Sequence, residues 1–239
     1  MKKRSKRAGV PVQEVLAWLE RHGSKKTRDG MARYAIPSDK AFGVTVGSLR
    51  TYAKSLGKSH ELAGSLWKTG FYEARMLAAF VGEPERVTPA EMDRWCRDFD
   101  NWAICDTVCF HLWDRTPHAF AKVTAFSRRK EEFEKRAAFA LLASIALHDK
   151  QAKDAAFAKC LPLIERAATD ERNFVKKGVL WALRLVGLRS PELYEAASKL
   201  AKRLSTSEDA SARWLGKAAL RELASPAAKK RLARRSSKR

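Results

Sequence analysis

Val175-Lys-Lys177-Gly-Val-Leu-Trp181-Ala-Leu183 decides the fold class, because versions of it recur along the chain. Glu73-Ala-Arg75-Met-Leu-Ala-Ala-Phe80, Glu134-Lys-Arg136-Ala-Ala-Phe-Ala-Leu141 and Ser211-Ala-Arg213-Trp-Leu-Gly-Lys-Ala-Ala-Leu220 follow the same plan. Each opens with a basic residue and then turns small and apolar. Their apolar positions recur at three and four residues rather than two, which is the period of a helix face and not of a strand. Segments of this kind begin near residues 72, 101, 130, 172 and 209. That spacing is a loose period of roughly 30 to 40 residues, the length of a helix-pair repeat.

Working outward, helices are expected over Val10–Arg21, Lys25–Ile36, Val46–Leu56, Ser59–Lys68 and Tyr72–Val81. Pro11, Thr45, Gly57, Gly70 and Gly82 mark their ends. Thr88-Pro-Ala-Glu91 has threonine at N-cap, proline at N1 and glutamate at N3, the pattern of a capping box. Further helices follow over His118–Phe126, Arg129–Leu147, Lys150–Ala168, Arg172–Val186, Pro191–Leu204 and Glu208–Leu223. The expected architecture is all-α, a right-handed superhelical solenoid of HEAT-like helix pairs. The repeated second helices would line its concave side, placing Arg75, Arg136, Lys177 and Arg213 in a basic stripe. Basic residues are unfavourable at helix starts, so their recurrence there calls for partners. Solvated helix starts are the plainer account of the same row.

Charge narrows the class of partner. The 239 residues carry 48 Lys plus Arg against 27 Asp plus Glu, a net +21. Five basic residues fall within residues 1–8 and seven within residues 229–239, with no acid in either block. The remaining +9 belongs to the body of the chain, so a polyanion is expected, nucleic acid first. The expected layout is a disordered basic tail over 1–8, a single domain over 9–224 and a second disordered basic tail over 225–239. Cys96, Cys105, Cys109 and Cys160 form no Cys-x-x-Cys, and His111 falls off the face that Cys105 and Cys109 share. No metal site is expected. With no secretory signal and no apolar run of membrane-spanning length, the chain reads as cytoplasmic, nucleoid-associated and monomeric, without a membrane partner.

The chemistry is read from Asp98-Phe-Asp-Asn-Trp102-Ala-Ile-Cys-Asp106-Thr-Val-Cys-Phe-His-Leu-Trp113. On a helix beginning near Asn101, Trp102 and Asp106 stand four residues apart and share a face. Asp106 sits among Ile104, Cys105, Val108 and Cys109, where a carboxylate is costly to desolvate. Two readings are open. Asp106 is tied to a nearby Arg or Lys as a structural pair, or an aromatic face and a carboxylate together stabilise a developing positive charge.

Met31-Ala-Arg-Tyr34, Phe42-Gly-Val44 with Leu49-Arg50, Leu66-Trp67 with Glu73-Ala-Arg75, Asp100-Asn-Trp102-Ala-Ile-Cys-Asp106, Lys135-Arg136-Ala-Ala and Phe174 to Arg184 occur in the order of a known family. From about residue 28 to 223 the chain resembles the bacterial AlkD-like DNA alkylation repair family, HEAT-like-repeat DNA glycosylases. The resemblance implies excision of N3- and N7-alkylated purines from duplex DNA, with no metal or cofactor and no flipping of the base into a pocket. It implies a catalytic aspartate at Asp106, DNA-facing tryptophans at Trp102 and Trp181, a phosphate-contacting arginine at Arg136 and a DNA-facing tyrosine at Tyr34. Arg50, in the Leu49-Arg50 motif, joins Lys177, Arg75 and Arg213 in the expected DNA-binding set. The chain departs from the family pattern at Gly47, Leu180 and Leu185. Two other readings share parts of these features: a non-catalytic HEAT-like protein that binds bent or branched DNA, and a protein-interaction scaffold, which leaves +21 unexplained.

Overall fold

The computed structural model describes residues 10–236, so the tail expected over 1–8 lies outside the described residues. Every regular element among them is helical. The chain divides into two compact units at Val87 and Thr88, where a single domain had been expected.

The first unit contains α1 (Val12–His22), α2 (Lys25–Asp29), a 3-10 turn (Gly30–Tyr34), α3 (Val46–Leu56), α4 (His60–Lys68) and α5 (Tyr72–Val81). Caps set the starts. Thr45 accepts a hydrogen bond from the Ser48 N–H at 3.3 Å, and Ser59 accepts from Leu62 at 3.2 Å. The helix expected over Lys25–Ile36 is instead two short pieces. Gly30 weakens it in the middle, and Ala35 adopts a left-handed conformation, φ 52°, that closes the second piece. α5 packs on α3 and α4, with Leu49, Leu66, Met76 and Leu77 fully buried.

One buried carboxylate organises this unit. Glu73 Oε1 accepts from the backbone N–H groups of Gly43 at 2.7 Å and Val44 at 3.1 Å, and Oε2 accepts from Phe42 at 2.9 Å. The connector before α3 has no helical partner for these donors, and Glu73 supplies all three. Gly43 is required there. Its φ is +85°, and a Cβ would lie 2.2 Å from the Ser24 carbonyl oxygen.

The second unit contains α6 (Pro89–Arg97), α7 (Trp102–His111), α8 (Ala119–Phe126), α9 (Glu132–His148), α10 (Asp154–Ala158), α11 (Leu161–Ala167), α12 (Asn173–Gly187), α13 (Pro191–Ser205), α14 (Ala210–Leu223) and α15 (Pro226–Ser236). The Thr88 cap accepts from the Glu91 N–H at 3.2 Å. α9 is buried from Ala137 to Ala146 on every side, as a central helix must be. α7, α8 and α12 pack around it, α13 packs on α14, and α12 touches both. Trp95, Trp113, Phe126, Phe139 and Phe157 fill the core.

Two differences from the sequence reading stand out. The helix expected over Lys150–Ala168 is split into α10 and α11, because Pro162 can sit only in a first turn and so starts a new helix. Residues 226–236, expected to begin a disordered tail, form α15: Ser225 accepts from the Ala228 N–H at 3.3 Å, and Ala228 is buried.

Candidate functional site

α7 starts at Asn101, whose side-chain oxygen accepts from the Ile104 N–H at 3.0 Å. The cap fixes the helix in the phase that puts Trp102 and Asp106 on one face. Ile104, Cys105, Val108 and Cys109 are buried around the carboxylate. Compensation for Asp106 comes from α9. Arg136 Nε donates to Asp106 Oδ1 at 2.8 Å and Nη2 donates to Oδ2 at 2.6 Å, a forked pair that fixes the carboxylate plane. The third arm, Nη1, donates to the Phe174 carbonyl of α12 at 2.6 Å. One guanidinium therefore ties α7, α9 and α12 together.

The openings of α9 and α12 are fastened by further bonds. Glu132 Oε1 accepts from the Phe174 N–H at 3.1 Å, and Arg172 Nη1 donates to the Lys130 carbonyl at 2.6 Å. Asp170 accepts from Lys135 Nζ at 3.0 Å and from Arg172 Nη2 at 2.6 Å. Burial alone would raise the Asp170 carboxyl, yet these cationic donors hold it down at about 2. Gly178 leaves room for the arginine: a Cβ there would lie 3.4 Å from Arg136 Cγ. The Cys105 and Cys109 thiols face the Phe133 and Ala137 carbonyls of α9 at 3.7 and 3.6 Å, so these cysteines serve the α7–α9 contact.

Burial pushes the Asp106 carboxyl above the ordinary aspartate range, and Arg136 pulls it back through charge and hydrogen bonding. Arg136 is held above its ordinary value by Asp106, against the effect of its own burial. Arginine does not deprotonate in proteins, so the Asp106 carboxyl faces a permanent positive charge. The carboxylate is the more open partner, its side chain 20% exposed against 8% for Arg136. The Asp106–Arg136 pair is thus the structural tie that one sequence reading anticipated, with one side of the carboxylate left to solvent.

The other expected residues are placed as follows. Trp102 on α7 and Trp181 on α12 are each half-buried, on helices that both pack against α9. Lys177 is exposed. Arg213 Nη1 donates to the Ser207 and Glu208 carbonyls at 2.6 and 2.8 Å. In the first unit, Arg75 lies over the Trp67 ring at 5.1 Å, Arg50 lies over Phe80 at 5.8 Å, and Tyr34 is 64% exposed. Of the four basic helix-start residues, Arg75, Arg136 and Arg213 have partners inside their own unit. Sequence reasoning missed Asp170, Arg172, Glu132 and Gly178, which hold the site without facing it. The Phe174-to-Arg184 motif was a signal for Gly178 alone.

A profile of the family described as "DNA alkylation repair enzyme" matches residues 15–234. Among solved structures, the chain is similar to one reported as "A new family of proteins related to the HEAT-like repeat DNA glycosylases with affinity for branched DNA structures". The TM-score is 0.73 at 18% identity, covering 87% of this chain and 93% of the other. At that identity the likeness establishes a shared HEAT-like fold. No curated protein matches the chain.

Proposed function

We propose, from the premise that this chain belongs to the DNA alkylation repair enzyme family, that it is a glycosylase excising cationic N3- or N7-alkylated purines from duplex DNA. The observation that carries this reading is Asp106: a desolvated carboxylate, fixed in orientation by a forked guanidinium, with one side open and a tryptophan one turn before it on the same face.

An alkylated purine already bears a positive charge. When the bond between C1′ and the base nitrogen breaks, its electron pair neutralises that charge and the base leaves without a proton. No general acid is needed. The sugar becomes oxocarbenium-like, and a water oxygen closes on C1′ as the base departs. Asp106 stabilises the developing cation and accepts the proton from the water. Trp102 and Trp181 offer ring faces to the same cation. Arg136 acts as a positioning residue in this scheme, because each of its three nitrogens already donates to Asp106 or Phe174 and its side chain is only 8% exposed. Lys177 is left as the exposed cation for a flanking phosphate.

The test is release of free base from methylated duplex DNA. The wild-type chain is expected to release 7-methylguanine or 3-methyladenine, while uracil and 8-oxoguanine remain in place because nothing in the site protonates a neutral base. Efficient uracil release would overturn the mechanism. A second reading is a non-catalytic binder of branched DNA. It is favoured by the structural similarity and by the Asp106–Arg136 pair, which is also what a purely structural tie looks like. Tight, salt-sensitive DNA binding without release of any alkylated base would select it.

A further inference from the structure

The solvent-accessible faces of α12, α14 and α15 carry groups that the excision scheme leaves unused. No acid occurs from Asn173 to Gly187 or from Pro226 to Ser236, and Glu222 is the one acid of α14. Trp214 is 40% exposed, an unusual state for so large an apolar ring. Lys176 Nζ lies 4.8 Å from its ring centroid. Lys217 and Arg221 follow Trp214 at i+3 and i+7, so all three share one face of α14.

At the far end of that face, Arg184, Arg221, Glu222 and Arg231 line a groove of about 430 Å³ together with Ser225 and with Ala227 and Ala228 of the first turn of α15. Arg184 Nη1 meets Glu222 at 3.0 Å, but its Nε is buried without a hydrogen-bond partner. No acidic partner of Arg221 or Arg231 occurs among the described residues. Burial, and then the charge of Arg184, lowers the pKa of Arg231, as expected of guanidiniums gathered without enough counter-charge. The N-terminus of α15 adds partial positive charge to the same groove.

Helix dipoles explain part of this arrangement. Arg184 and Arg221 sit in the last turns of α12 and α14, where cations are favourable. Arg231 lies mid-helix, and dipoles account neither for it nor for an open tryptophan beside a lysine. Basic groups interleaved with an exposed aromatic ring are what an unpaired strand requires, since its phosphates need cations and its unstacked bases need a ring face. We infer that this face binds an unpaired DNA strand, with a base stacked on Trp214 and a backbone phosphate held by Arg184, Arg221 and Arg231. The inference rests on the DNA-binding part of the proposed function and is independent of excision.

The experiment compares fluorescein-labelled plain duplex with the same duplex carrying an unpaired tail, by anisotropy, on the full-length chain. The wild-type chain is expected to bind the tailed DNA more tightly. Trp214→Ala is expected to lower that affinity by about tenfold while changing plain-duplex affinity less than about twofold, and Trp214→Phe to retain most of it. Arg221→Ala and Arg231→Ala are each expected to flatten the log–log salt dependence on the tailed DNA by about 0.7. Equal loss on both DNAs, or no loss on the tailed one, overturns the inference. Wild-type binding to duplex without preference for the tail overturns it and leaves the DNA reading standing. Binding to neither DNA overturns both.

Discussion

Asp106 shows how one residue serves stability and chemistry through the same bonds. Removing the guanidinium in Arg136→Gln leaves a desolvated carboxylate and the Phe174 carbonyl without their donor. Loss of one partner of such a pair is expected to cost about 3 to 5 kcal/mol, read by urea unfolding against the wild type. A loss below about 1 kcal/mol would mean that the pair is not desolvated. The pH dependence of excision reports the other side of the residue. Its folded pKa is raised by burial, and the mechanism uses the ionised form, so activity is present above the raised pKa and is lost as pH falls through it. The acid limb of the kcat/KM profile is expected above the ordinary aspartate range. The sequence carried half of this. An aspartate amid buried positions demands a partner by desolvation alone, and the Trp102 spacing marks the face. It did not identify Arg136 as that partner, because the two residues are 30 positions apart and only the packing of α7 on α9 joins them.

At the scale of the element, the Thr45 and Thr88 caps were legible, and each accepts a hydrogen bond at its helix start; Ser59, Asn101, Ser190 and Asp209 do the same without having been marked as caps. Breaks were less legible, since Gly30 and Pro162 interrupt apolar patterns that continue through them. α15 was read as tail because a basic, acid-free run has the composition of a solvated segment; Ser225 and the buried Ala228 secure its first turn. Helix crossings cannot be read from periodicity at all. At the α13–α14 contact a Cβ on Gly216 would lie 2.2 Å from the Ser205 nitrogen and 2.6 Å from the Ala201 oxygen, both backbone atoms. Gly216→Ala is expected to destabilise by about 1 to 3 kcal/mol, seen as a lowered Tm. Gly64→Ala serves as its control, because no atom lies within 4 Å of a Cβ there. It is expected to be neutral or to stabilise by up to about 1 kcal/mol through helix propensity. Equal effects at the two positions would contradict the close crossing.

For the whole molecule, helical class and a basic body were plain from repeat spacing and charge, whereas two compact units were not, since no composition shift marks Val87. The net charge of +21 argues for a polyanion without saying what is done to it. Excision therefore turns on one carboxylate. Its most direct test is single-turnover release of 7-methylguanine from methylated duplex, with wild type beside Asp106→Asn, and DNA affinity measured on both. Asparagine keeps the shape and can still accept from Arg136, so binding is expected to persist while the rate falls by about a hundredfold or more. Release by Asp106→Asn at the wild-type rate, with binding equally intact, would contradict the account and leave Asp106 as no more than the partner that fastens α7 to α9.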